Sequence, residues 1–130
     1  MTLSAAPGNV RALRPISILV ASNDDPFSGR LVDEAGASGV PLSRVPADAN
    51  LEVALAESGA NVLLLDVGDA LGRGARRVTA FAALHPDVPV VVAADRPAAP
   101  TLCGVPMLDK WRSTERLLAE IELAYLGLWP

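Results

Sequence analysis

The feature that most constrains the fold is a series of short apolar runs without polar alternation, each followed by a stretch of helical character. The clearest is VLLL at positions 62–65, four consecutive apolar residues that stop at Asp66 and not at a turn-former. A strand with no alternation is one buried on both faces, as in a parallel sheet covered by helices on each side. In open parallel sheets, ligands bind beyond the carboxyl ends of the strands. Asp66 sits at such an end and is therefore the first candidate functional residue.

The rest of the chain repeats the pattern. ISILVA at 16–21 is a first strand, and the Asp25-Pro26 junction after it starts a helix that Gly36 and Gly39 close near position 37. Residues 40–45, interrupted by Pro41 and ended by Pro46, make at most an edge strand. Asp48 is placed to cap a helix over 49–57, ended by Gly59. The third strand, 61–66, leads through GDALGRG into a helix with Val78, Phe81 and Ala82 on one side, which His85-Pro86-Asp87 stops. VPVVVAA at 88–94 is a fourth strand, RPAAPT a loop by its proline content, and 105–108 a short fifth strand. A last helix, capped by Ser113, runs to about position 126 with Leu117, Ile121 and Ala124 as its apolar stripe.

Alternation of this kind means βα units, and the crossover rule makes the sheet parallel with helices on both faces. The expected fold is α/β: a five-stranded parallel sheet, flavodoxin-like and doubly wound in the order 2-1-3-4-5. With 130 residues there is room for one domain, expected over 16–127 between a loose tail at 1–15 and a short one at 128–130. Leu128 and Trp129 form an apolar end that either packs back on the domain or marks a partner surface.

Composition excludes several functions. A net charge of -4 argues against a surface built to neutralise phosphates, so no direct nucleic-acid binding is expected. No window approaches the ~18 to 20 apolar residues that a membrane span needs, so no membrane partner is expected. The single Cys103, read as a small buried hydrophobe, forms no internal disulfide, and a reducing cytoplasm fits best. His85 stands alone at a helix exit and reads as a surface residue, with no second His or Cys to build a transition-metal site.

Three strand ends carry polar residues that the topology brings to one edge: SNDD (Ser22 to Asp25), Asp66 and Lys110. This constellation resembles the receiver domain of bacterial two-component response regulators. Gly74 lies eight residues after Asp66, where receivers usually keep a glycine, and HPDVPVVV is a common receiver string before the fourth strand. The resemblance covers roughly 16–126. It implies that Asp66 accepts a phosphoryl group, that Asp24, with Asp25 or Asn23, and the carbonyl of Gly68 join Asp66 in holding Mg²⁺, and that Lys110 is the counter-ion. Such groups must cluster because a carboxylate attacking a phosphoryl group meets like-charge repulsion, which hard oxygen-bound cations and an ammonium offset.

The chain also departs from the family pattern. Where the fourth strand of a receiver ends in Ser or Thr, this one reads Ala93-Ala94, which removes the hydroxyl that would engage a phosphoryl oxygen. The acid pair is ambiguous: counting back from Pro26 gives Asn23 and Asp24, counting forward from ILVA gives Ser22 and Asn23. Trp111 follows Lys110 in place of a proline. Only 16 positions separate Ala94 from Lys110, with Pro97, Pro100 and Pro106 among them, so the fourth helix is expected to be shortened or missing.

Each candidate also has a plain structural explanation. Asp is a favoured turn residue, carboxylates start helices, and a lysine stem covers apolar surface. Weighed together, these features place first a pseudo-receiver that is not an enzyme: a protein-interaction or dimerisation module with a histidine kinase or regulatory protein as partner, Mg²⁺ bound weakly if at all. Second comes a working phosphoacceptor receiver phosphorylated on Asp66. A small-molecule binder or enzyme using the same crevice has only fold analogy behind it.

Overall fold

The computed structural model describes residues 15–129. Most of the expected N-terminal tail, and Pro130, lie outside the described residues. Ten elements succeed one another: β1 (Ile18–Ala21), α1 (Asp25–Ser38), β2 (Leu42–Val45), α2 (Leu51–Ser58), β3 (Val62–Gly68), α3 (Leu71–Leu84), β4 (Val90–Ala94), β5 (Thr101–Leu102), β6 (Val105–Asp109) and α4 (Thr114–Tyr125). The sheet order is β2-β1-β3-β4-β6-β5. The first five strands of that order pair in parallel and reproduce the expected 2-1-3-4-5 winding. The two-residue β5, which runs antiparallel against β6, is an addition to the expected five strands.

Both faces of the central strands are closed, which explains their unbroken apolar runs. Ile18, Val20, Val62, Leu64 and Val91 pack against Phe27 and Leu31 of α1 and against Leu117, Leu118, Ile121 and Tyr125 of α4. The alternate residues Leu19, Leu63, Leu65, Val90 and Val92 pack against Leu51 and Ala54 of α2 and Val78 and Phe81 of α3. No helix links β4 to β6 among the described residues; Leu102 and Val105 of the β5–β6 hairpin pack on that second face in its place.

Local chemistry sets the element ends. Asp24 caps α1 by accepting the Phe27 amide, with Pro26 in the first turn, and Gly39 ends the helix at φ 72°, where a residue with a Cβ is strained. Asn50, and not Asp48, caps α2, because its side chain accepts the Val53 amide. Ser113 caps α4 as expected. Cys103 is exposed, contrary to the buried position expected for it. It sits at φ 51° and, with Gly104 at φ 85°, makes the two-residue turn of the β5–β6 hairpin. At the other end of the chain Trp129 packs back on the core while Leu128 is exposed.

Candidate functional site

The strands β1, β3, β4 and β6 run parallel, so their carboxyl ends deliver Ser22, Asp66, Asp95 and Lys110 to one edge of the sheet. The delivery is local. Lys110 extends the β4–β6 ladder by donating its amide to the Ala94 carbonyl (3.0 Å). Asp66 pairs with Ala93 in the β3–β4 register, after which the register shifts and Gly68 turns at φ 56°. This irregularity pushes Val67 against α3. A Cβ on Gly74 would lie 2.5 Å from Val67 Cγ1, so only glycine lets α3 approach the loop that presents Asp66.

Lys110 is the centre of the site. It is 4% exposed, and its Nζ lies 2.9 Å from Asp24 Oδ2, 3.0 Å from Asp66 Oδ2 and 3.2 Å from Asp95 Oδ1. The faces of Phe27 and Trp111 flank it, with ring centroids 5.3 and 5.6 Å from Nζ. Burial pulls its pKa down, but the hydrogen bonds to Asp24 and Asp66 and the Asp66 charge outweigh burial and hold it above its ordinary value. Asp24 is held below the usual carboxylate range, first by the Lys110 hydrogen bond and then by the Phe27 amide.

Ser22 completes the inner ring. Its hydroxyl donates to Asp66 Oδ2 at 2.6 Å and accepts the Asp24 amide at 3.0 Å, which ties the β1 exit to the end of β3. The Gly68 amide donates to Asp66 Oδ1 at 2.9 Å. Beside this ring opens a cleft of about 530 Å³, lined by Asn23, Asp24, Asp66, Lys110 and two arginines of α3, Arg73 and Arg77. Arg77 donates to the carbonyls of Ala47 and Ala49, fixing the β2–α2 loop onto α3, and burial lowers its pKa.

Asp24, Asp66 and Lys110 are thus brought together, whereas Asp25 is not. Its carboxylate points outward and meets Arg44 of β2 at 3.2 Å, because the first turn of α1 rotates it away from Asp24. The Gly68 carbonyl accepts the Asp95 amide at 2.9 Å. Asp95 is absent from the expected constellation, whereas Ser22 stands in it among the SNDD residues without a role assigned. Position offers a signal for both: each directly succeeds a strand, Asp95 after the Ala93-Ala94 end of β4 and Ser22 after β1.

The arrangement does not fit Mg²⁺. Each carboxylate oxygen of Asp24 and Asp66 already faces a donor: Phe27 N and Lys110 Nζ for Asp24, Gly68 N, Ser22 Oγ and Lys110 Nζ for Asp66. Asp25 is remote and the Gly68 carbonyl is committed. Among the described residues no group of three or more His, Cys, Asp or Glu residues is placed to hold a metal ion. Nor is any helix among them long and apolar enough to cross a membrane.

No family model matches the chain, and no curated protein is similar to it in sequence. Solved structures are similar in fold. An atypical orphan response regulator, described as revealing a phosphorylation-independent regulatory mechanism, superposes with a TM-score of 0.67 at 18% identity over 88% of this chain and 98% of that one. HP1043, an orphan response regulator of H. pylori, gives a TM-score of 0.66 at 16% identity over 85% of this chain and 96% of that one. The CheY-like protein TadZ from Pseudomonas aeruginosa PAO1 gives 0.64 at 16% identity over 86% and 94%. The fold is that of a response-regulator receiver domain.

Proposed function

We propose that this chain is a pseudo-receiver: a signalling module of a two-component-type system that acts through protein contacts, with phosphorylation of Asp66 weak or absent. The observation that carries the reading is the end of β4. Ala94 presents no hydroxyl to a phosphoryl oxygen, and the next residue is a carboxylate 3.2 Å from the only ammonium in the site. An incoming phosphoryl group would meet Asp95 as a like charge and find Lys110 already engaged. The fold similarity to a regulator described as phosphorylation-independent supports the same reading. The contact between Asp66 and Lys110 favours the second reading, a working phosphoacceptor, because it is the geometry such chemistry requires.

Trp111 separates the two. Its ring lies 5.6 Å from Lys110 Nζ and is 61% exposed, so its emission reports on that ammonium. On adding beryllofluoride with Mg²⁺ the pseudo-receiver reading expects at most a weak change. A strong saturable response that disappears in Asp66→Asn establishes the working receiver instead.

A further inference from the structure

Lysine carries three N–H donors and no acceptor. In this site three carboxylate oxygens, from Asp24, Asp66 and Asp95, lie within 3.2 Å of Lys110 Nζ, so three carboxylates surround one ammonium. Two aromatic faces flank the same ammonium. Asp95 Oδ1 is buried and accepts no hydrogen bond, so its position there is compensated only by the Lys110 charge 3.2 Å away. We propose that Lys110 is the resident cation of this site, held by Asp24, Asp66 and Asp95 in place of a divalent metal ion, with Asp95 as the residue that locks it there.

This inference deepens the pseudo-receiver reading and rests on it. Mg²⁺ demands near-ideal octahedral oxygen ligation at about 2.0–2.1 Å and dehydrates reluctantly. To enter here it must displace N–H or O–H donors from Asp24 and Asp66 and sit beside the Lys110 ammonium, a like charge. The site lacks a free hard-oxygen ligand set, and Asp95 spends its charge on the lysine. Removing the lysine reverses the situation: three carboxylates then share one hollow with no cation between them, which is the donor set a divalent ion prefers.

The test is direct titration of the full chain with Mg²⁺ by calorimetry and with Mn²⁺ by electron paramagnetic resonance, with no phosphoryl compound present. The wild-type chain is expected to show no saturable binding up to about 10 mM, and its unfolding midpoint is expected to be the same in about 10 mM Mg²⁺ as in chelator. Lys110→Met is expected to gain at least about tenfold in Mn²⁺ affinity, a gain that Lys110→Met with Asp24→Asn loses. Saturable wild-type binding near about 1 mM or tighter that Asp66→Asn abolishes, or a Mg²⁺-dependent rise in the wild-type midpoint, overturns the proposal. So does a folded Lys110→Met chain that binds no better than wild type. The wild-type measurements decide even where that variant does not fold. A wild-type chain that binds metal yet gives no Trp111 response to beryllofluoride removes the role of Lys110 and leaves the pseudo-receiver reading intact; a strong response in a chain that binds no metal alone does the reverse.

Discussion

The charged edge of the sheet and the β5–β6 hairpin are built from neighbouring segments to opposite standards. At the edge, Ser22, Asp24, Asp66, Asp95 and Lys110 are cross-bonded from the ends of four strands, and moving any one leaves another group unpaired. The hairpin is two residues deep, turns on a cysteine at positive φ, and packs on the core through Leu102 and Val105 beside the buried Met107 and Leu108 of β6. Asp95 and Lys110 of the edge flank the stretch that holds the hairpin. The contrast teaches that the strand ends converge as in the receiver fold while a hairpin, and not a helix, fills the connection from β4 to β6.

The comparison is most easily broken at Lys110. Lys110→Ala leaves three carboxylates without their cation and should cost about 3–5 kcal/mol in urea unfolding, since removing one partner of a buried ion cluster exposes the rest to uncompensated repulsion. Next is Gly74→Ala. The added Cβ collides with Val67 and should cost roughly 1–3 kcal/mol, with only part of the loss restored in the double variant Gly74→Ala, Val67→Ala, because the Val67 Cβ itself lies 2.8 Å from the added atom. Ser22→Ala removes a hydrogen bond to the buried Asp66 carboxylate and should cost about 1–2 kcal/mol by the same measurement.

Acid unfolding sharpens the picture. The folded-state pKa of Asp24 lies below its ordinary 3.8, so its contribution is present above that pH and is lost as pH falls through the lowered value. Asp24→Asn keeps a good helix cap but loses the titrating charge; the unfolding midpoint should therefore depend less on pH below about 4 than in the wild type. The smallest effect belongs to the hairpin. Cys103→Asn suits the left-handed turn position better and should raise stability by about 1 kcal/mol or less in thermal melts, without altering Trp111 emission.

Much of this organisation is legible in the residues. Unalternated runs such as VLLL mark strands buried on both faces, and parallel pairing then forces Asp66 and Lys110 to one edge whatever lies between them. Gly74 is legible as a position but not as a cause, because its clash partner Val67 becomes a neighbour only once the β3 bulge has formed. Asp25 and Asp24 cannot be told apart by spacing; the first turn of α1 decides which points inward. Asp95 is masked by its setting, since a lone carboxylate between a strand and a proline-rich loop has the composition of an ordinary turn, and only the fold brings it to Lys110. The hairpin is hidden by its own proline content, which reads as loop, and a two-residue strand carries too little pattern to be seen.

The central claim is that the charge cluster satisfies itself and leaves Asp66 without a phosphoryl-accepting environment. Intact-mass measurement after prolonged incubation with a small-molecule phosphodonor and Mg²⁺ addresses it most directly. The account predicts an unmodified chain; a stoichiometric phosphoryl adduct, absent in Asp66→Asn, contradicts it.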